Sequence, residues 1–533
     1  MSSSGPLRPN VLLILADDLG FSDIGCYGSE IATPNLDRLA ANGMRFSQML
    51  NCARCCPTRA SLLTGLYPHQ AGVGLMVKDQ ELPAYRGFLG PHCVTLAEAL
   101  GDAGYRCASA GKWHIGGEFA RNDPTDWTAP DPVRPLPVDR GFVEWTGTPA
   151  GAGSYFTPKP MFDGHRVIEP ADDSFYYTDF VTETAVAQIG RALDAGQPFF
   201  EYIAYTAPHW PLHAREEDIA RYRGRYAGGW DRLRDERHAR LAALGLLDPL
   251  PKLSPRAPEC PAWADAPNRE WEAERMAVYA AQVDRMDQGI GKIVEFLRKR
   301  GAERNTLILF LSDNGGCRET IGPNVAAREW PRTRDGRAVR FGNDPAVMPG
   351  GADTYQSYGP AWANASNTPF RLFKCFAHEG GISTPLVAHW PDSIAPGSVC
   401  HRLSHVIDIA PTLLEAAGIT PPTERSGNPR PPLAGNSFFA HLRGGPDTPR
   451  EEPVFLEHIG NRMVRAEEWK LVSRQPGDHW ELYRIREDRA ELHDLADRYP
   501  DIVARLARQY DDWAAACGVR PWADISRRPA RRR

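Results

Sequence analysis

At 533 residues, 42% apolar and 24% charged, the chain has the composition of an ordinary soluble globular protein and is too long for one core, so a large and a small domain are expected. A formal net charge of −5 excludes the basic balance of a nucleic-acid binder; the only dense basic run is the tail, Arg527 to Arg533, and no apolar window reaches the ~18 residues of a membrane span. The 11 cysteines, an odd number with several set in apolar runs, suggest no disulfide framework, and no signal peptide is expected in the opening MSSSGPLRPN. Reduced thiols and a cytoplasmic location are expected, with a periplasmic one left open because a removed leader leaves no trace.

Asn10 to Ala16, NVLLILA, is a continuous apolar run of the kind buried on both faces of a parallel sheet, and it ends in Asp17-Asp18. Adjacent carboxylates at the end of a buried strand repel unless a cation lies between them, although one of them capping a turn is the plainer alternative. A helix is predicted from Pro34, a strand over Met44 to Leu50, and then the stretch Asn51 to Gly65, NCARCCPTRASLLTG. Its proline suits the first turn of a helix, so Cys55 and Cys56 are placed just ahead of a helix start, where free N–H groups and the fork of Arg59 favour an anion. Buried structural thiols, redox or zinc chemistry at the Cys52–Cys55 CxxC, and a site built on Cys-x-Pro-Thr-Arg all remain open at this point. The chain holds no second CxxC to complete a zinc site.

Thr95 to Leu100 is predicted helical and Tyr105 to Ala110 a strand that ends in Gly-Lys112-Trp-His114; two residues apart in an extended segment, Lys112 and His114 point the same way. Residues 120 to 175 are rich in Pro, Gly and Asp and are expected to be irregular, with a small hairpin over Phe162 to Val167. Phe180 to Leu193 has helical spacing, and Pro198 to Ala204 is another buried strand, delivering His209 at its carboxyl end. Residues 211 to 270, polar and rich in Arg and Trp, suit a lid or substrate surface. In Glu270 to Arg300, Met276, Tyr279, Val283, Met286, Ile290, Ile293 and Leu297 step by three and four, one apolar helix stripe that core packing explains fully.

Thr306 to Leu311 is the next buried strand, capped by Ser312-Asp313-Asn314, a second pair of hard oxygen donors. An aperiodic insertion fills 317 to 366, Lys374 precedes a strand at Leu386 to His389, and the Pro-rich 420 to 434 reads as a linker. Beyond it, four short strands and a helix over Pro500 to Cys517 make a small antiparallel sheet with one helix on it. The expected architecture is therefore α/β: a large, mostly parallel sheet flanked by helices over 1–430, and a small α+β subdomain over 431–533.

Five strand ends carry candidate site groups, and in an open parallel sheet ligands bind beyond the carboxyl ends of strands. Asp17, Asp18, Asp313 and Asn314 form a hard set suited to calcium or magnesium; Arg59, Lys112 and Lys374 offer positive charge to an oxyanion; His114 and His209 move protons. The matching segments are ADDLG, CCPTRASLLTG, GKWH, APHWP, SDNGG and NTPFRLFKCFAHEGG, in that order. In these segments the chain resembles the type I sulfatases of the alkaline phosphatase-like superfamily, and is most similar to bacterial arylsulfatases.

The resemblance implies that Cys55 is converted to formylglycine by a formylglycine-generating enzyme. It implies calcium, with magnesium as second choice, held by Asp17, Asp18, Asp313, Asn314 and the residue 55 oxygen. It further implies that a geminal-diol hydroxyl, held by Arg59, attacks the sulfur of a small sulfate ester while His209 protonates the leaving alcohol. His114 then takes the second hydroxyl's proton and sulfate leaves, with Lys112 and Lys374 on its oxygens. Two alternatives stand: a phosphonate monoester or phosphodiester hydrolase with the same fold, and a non-catalytic, metal-stabilised binding protein with an unconverted Cys55. A thiol oxidoreductase built on Cys52 and Cys55 leaves the metal and lysine groups unexplained.

Overall fold

A computed structural model describes residues 8–127, 134–170, 172–425, 428–446 and 448–528, so the end of the basic tail, 529–533, lies outside the described residues. At its centre β1 (Asn10–Asp17), buried along its whole length, runs parallel to β7 (Phe199–Pro208) on one side and β8 (Thr306–Ser312) on the other. Beyond β7 lie β3 (Arg106–Gly111) and β4 (Glu144–Gly147), both parallel, then the antiparallel hairpin β5 (Met161–Asp163) and β6 (Arg166–Ile168). Beyond β8 comes β11 (Ser383–His389), antiparallel to both β8 and β2 (Met44–Leu50), with β12 (Ser398–Cys400) and β13 (Ser404–His405) parallel to β2. Two short ribbons, β9 (Arg340–Phe341) with β10 (Thr354–Tyr355) and β14 (Glu424–Arg425) with β15 (Asn428–Pro429), lie apart from this 11-stranded sheet.

Side chains alternate across a strand, so β1 feeds two cores. Leu12, Ile14 and Ala16 join one layer with α1 (Pro34–Ala41), α4 (Tyr177–Asp194) and α7 (Arg269–Lys299); Val11, Leu13 and Leu15 join the other with α2 (Cys55–Thr64) and α3 (Leu96–Asp102). The stripe Met276 to Leu297 of α7 is buried as its spacing predicts. Thr95 caps α3 in a reciprocal capping box with Glu98. The C-terminal sheet, β16 (Val454–His458), β17 (Asn461–Ala466), β18 (Trp469–Ser473) and β19 (Glu481–Arg484), is antiparallel in sequence order, and the Pro500–Cys517 helix lays Leu506, Tyr510 and Trp513 on it.

The structure departs from the sequence expectations in several places. Cys55 is not ahead of the helix but is its first residue, with Arg54 at the cap, because a proline two residues further on still falls in the first turn, where no N–H is needed. Within 120 to 175, β4 joins the main sheet; four residues among glycines and prolines are too few to show a period. Residues 211 to 270 are not a lid: α5 (Glu216–Ile219) and α6 (Gly229–Leu244) pack down with Trp230, Leu233 and Leu241 buried. Arg237, fully buried, ion-pairs with Asp23 at 2.5 Å and Glu30 at 2.8 Å. An arginine reads as surface in a sequence, and only its partners, some two hundred residues away, bury it.

Candidate active site

β1, β7, β3 and β8 run in one direction, and β2, antiparallel to β11 as β8 is, runs with them. Their carboxyl ends therefore share one edge of the sheet. The loop before β11 brings Lys374 to the same edge because β11 enters the sheet there in the opposite sense.

Each predicted side chain arrives by a local device. β1 ends at Asp17, and Asp18 turns away in the left-handed region with φ +66°, a conformation that costs about 1–3 kcal/mol in a non-glycine residue and marks an imposed geometry. Its backbone N–H donates to Asp313 Oδ1 at 3.2 Å, tying the ends of β1 and β8 together. Gly111 closes β3 with φ +104° where a Cβ would meet the Ala204 carbonyl oxygen at 2.1 Å, so only glycine lets β3 run this close to β7. Lys112 follows it. His114, left-handed with φ +59°, turns toward Cys55, so its aim is set by the turn rather than by strand alternation; its ring lies against Gly151, where a Cβ would be 2.2 Å away.

Two linked groups result. Cys55 and Cys56 Sγ and a His114 nitrogen lie within 4.8 Å of one another, as do Asp17, Asp18 and His209. Cys55 is close enough to Asp17, Asp18 and Asp313 to raise the proton affinity of all three. Arg59 donates Nη2 and Nε to Asp313 Oδ2 at 2.8 and 3.2 Å and Nη1 to the Lys112 carbonyl at 3.2 Å. Lys112 pairs with Asp17; Lys374 pairs with Asp18 Oδ1 at 2.6 Å; Asn314 Nδ2 donates to the same oxygen at 2.6 Å. His209 donates Nδ1–H to the Trp210 carbonyl at 2.6 Å, which leaves Nε2 facing Asp18 Oδ2 at 3.4 Å. Every predicted side chain thus converges on this edge, with both lysines turned onto carboxylates.

Burial is the dominant electrostatic fact. It raises Asp17, and with help from Asp17 it raises Asp313 to about 8; at Asp18 it is outweighed by His209 and Lys374, which hold that carboxyl below the usual range. Burial drives His114 down to about 3 and His209 to about 4, so both imidazoles are neutral near pH 7. A hydrogen bond with Cys56 first, and then His114, Lys112 and Lys374, pull the Cys55 thiol well below its ordinary range despite burial.

The donors fit a hard divalent cation. Asp17 Oδ1 and Asn314 Oδ1 are buried with no hydrogen-bond partner, a costly state for two oxygens aimed at one edge. Three carboxylates against Arg59, Lys112 and Lys374 come to formal balance; a divalent cation tips the site positive and suits it to an anion.

The sequence reading assigned no role to Glu319 or Arg54. Arg54 donates to Glu319 Oε1 at 3.0 Å and to Cys375 Sγ at 2.8 Å, while the Trp210 indole N–H donates to Glu319 Oε2 at 2.9 Å. Glu319 stands in an aperiodic stretch and carries no local signal; Trp210 stood in the open, inside APHWP.

Comparison with known proteins gives the family. The Sulfatase family profile matches residues 9–419, and that of the N-sulphoglucosamine sulphohydrolase C-terminal region matches 370–515. The chain is 32% identical to an uncharacterized sulfatase of Schizosaccharomyces pombe, over 96% of this chain and 94% of that protein. It is 35% identical to an arylsulfatase of Klebsiella aerogenes over 81% and 92%, and 30% identical to the steryl-sulfatase of Mus musculus over 87% and 69%. Among solved structures, Ps i-CgsB in complex with k-i-k-neocarrahexaose shares the fold at a TM-score of 0.67 and 24% identity, covering 95% of this chain and 93% of that one. The chain belongs to the sulfatase family and is a sulfuric ester hydrolase.

Proposed function

We propose that the enzyme hydrolyses aryl-type sulfate esters to an alcohol and inorganic sulfate, using formylglycine made from Cys55 and a calcium ion held by Asp17, Asp18, Asp313, Asn314 and the residue 55 oxygen. The observation that carries this reading is the pair of unpartnered buried oxygens, Asp17 Oδ1 and Asn314 Oδ1, on the same edge as the Cys55 and His114 group. The similarity to a protein named arylsulfatase supports the aryl ester. The catalytic region is 1–430 and the C-terminal subdomain, built on the β16 to β19 sheet, is 431–533.

Formylglycine supplies a hydrated aldehyde as nucleophile, and calcium supplies charge for the sulfate. The remaining work falls to the chain's own side chains. Arg59, anchored on Asp313 and on the Lys112 carbonyl, presents a fixed cation at residue 55. Lys112 and Lys374, buried at the same edge and each on a carboxylate, are the ammonium groups that would meet the sulfate oxygens. Neutral His114, beside residue 55, accepts a proton there. His209 Nε2, the nitrogen not committed to the Trp210 carbonyl, is the atom that carries a proton to the leaving oxygen once an anionic ester raises its affinity.

The test pairs two measurements on one preparation: the mass of a peptide spanning residues 51–65, and sulfate release from 4-nitrophenyl sulfate. Conversion lowers the peptide mass by about 18 daltons, and release should scale with the converted fraction. Full activity with an intact thiol, or faster turnover of a phosphodiester or phosphonate monoester than of the sulfate, would overturn the proposal.

A further inference from the structure

The site groups themselves are closed off from solvent: Cys55, Lys112, His114, His209 and Lys374 expose 6% of their surface or less. Substrate therefore meets first the partly exposed residues that touch them. Arg54 precedes Cys55, Trp210 follows His209 and Cys375 follows Lys374, and Glu319 joins Arg54 to Trp210. The Trp210 ring lies 4.6 Å from the His209 ring, centroid to centroid and tilted 45°, and meets Tyr355 edge-on at 6.0 Å. Its N–H is fixed by Glu319, which is itself held by Arg54. A large, partly exposed indole clamped at its polar end, packed against Tyr355 and against the His209 imidazole, is a rigid, pre-organised surface beside the buried site.

This arrangement bears on the alcohol half of the ester. His209 Nε2 is where the leaving oxygen receives its proton under the reading above, so the group attached to that oxygen lies beside His209, and Trp210 is the large apolar surface there. From this geometry we infer that Trp210, held by Glu319 and Arg54, is the platform on which the leaving alcohol stacks, selecting sulfate esters of flat aromatic alcohols over those of flexible aliphatic ones. Flat rings gain from the face of an indole; an alkyl chain gains only area and loses rotamer freedom there. Trp210 is thus a specificity residue, and Glu319 a positioning residue that acts through it.

This inference rests on the hydrolase reading, and a ratio separates the two. Full-length enzyme with residue 55 converted is assayed for kcat/KM on 4-nitrophenyl sulfate and on hexyl sulfate. Trp210→Leu should lower the aryl-to-alkyl ratio about tenfold, the scale of one stacking contact, mainly through KM; Trp210→Phe should restore most of it. Glu319→Leu, which frees the indole, should lower the ratio in the same direction, and Glu319→Gln, whose amide oxygen still accepts from the indole, should hold it near wild type. Thermal melting of each variant checks that it is folded. A ratio unmoved in Trp210→Leu, or both esters falling in parallel, overturns the platform and leaves the hydrolase intact. Converted wild-type enzyme that releases sulfate from neither ester overturns the aryl-ester reading, and the platform with it.

Discussion

Two buried ionic clusters lie on either side of the segment Phe370 to Ile382, and they are finished differently. Behind it, Glu379 accepts Lys470 Nζ at 2.9 Å on one oxygen and Arg489 Nε at 2.9 Å and Ser383 Oγ at 2.7 Å on the other. Glu491 accepts the Glu379 N–H at 3.0 Å and pairs with Lys470 at 2.7 Å, and Arg489 reaches the Ser47 carbonyl at 2.6 Å. In front, Asp17, Asp18 and Asp313 balance Arg59, Lys112 and Lys374 in formal charge but leave Asp17 Oδ1, Asn314 Oδ1 and His114 Nδ1 without partners. The rear cluster is a joint: through Glu379, Arg371 and His378 the C-terminal sheet grips both ends of the loop carrying Lys374. Leu372 and Cys375, flanking that lysine, are left-handed at φ +65° and +80°, a strain that persists only in a loop held from outside. The rear cluster keeps nitrogens without hydrogen-bond partners, His378 Nδ1 and Arg465 Nε and Nη1, but every carboxylate oxygen of Glu379 and Glu491 meets a donor or a cation; the front cluster leaves oxygens unpartnered, the atoms a hard cation takes.

The largest effects on activity should come from the front cluster. Cys55→Ala is expected to lower sulfate release at least about 10³-fold with little change in melting temperature, and Asp17→Asn to lower it as far while also costing stability, because it strips the buried Lys112 of its carboxylate. A large drop in melting temperature in Cys55→Ala would erase the contrast. Lys470→Met should do the reverse, costing about 3 kcal/mol in urea unfolding because it strips a fully buried cation from two buried carboxylates. Its residual activity per folded molecule should stay well above that of the front-cluster variants; equal losses would merge the two clusters into one.

Calcium at about a hundred times its Kd should stabilise wild type by about 2.7 kcal/mol, read as a rise in melting temperature that chelation reverses and Asp17→Asn lacks. No rise in wild type would refute the front cluster as a cation site. Acid provides a smaller probe of the rear. Burial raises the Glu379 carboxyl, but Lys470, Arg489 and Arg465 outweigh it and hold the group well below its ordinary value of 4.5. A carboxyl depressed on folding contributes stability that is present above its unfolded value and lost as pH falls through the folded one. Stability should therefore decline below about pH 4.5, and Glu379→Gln, weaker at neutral pH, should lose less across that limb. Parallel limbs would show that Glu379 carries no such linkage. Smallest of all, Cys52→Ser should keep activity within about twofold, since a hydroxyl can replace the thiol near Ser61 Oγ at 3.5 Å and His405 at 3.8 Å. Loss of activity there would revive a role for the CxxC.

The front cluster was largely legible and the rear was not. NVLLILADD and TLILFLSDN show their function locally, because an apolar run broken by hard oxygen donors can be read from a few neighbouring residues. Glu379, Lys470, Arg489 and Glu491 look like any surface charges, as Arg237 does, because burial of a charge depends on partners scattered over a hundred residues or more. The 31-residue α7 was plain from its stripe; α6, with no clear apolar face, was not.

Local periodicity and short-range chemistry in the sequence determined the long strands and helices, though not β4 or α6, and which side chains stand at strand ends, and the sulfatase character of those ends. Tertiary structure alone decided the order β12-β2-β11-β8-β1-β7-β3-β4-β5-β6, the antiparallel entry of β11 that delivers Lys374 to the shared edge, and the brace of Arg54 and Glu319 on Trp210. The reason is physical. A period of 2 or 3.6 is visible within ten residues, whereas strand order, ion pairing and the burial of a charge are settled by surfaces that meet only after the chain has closed over hundreds.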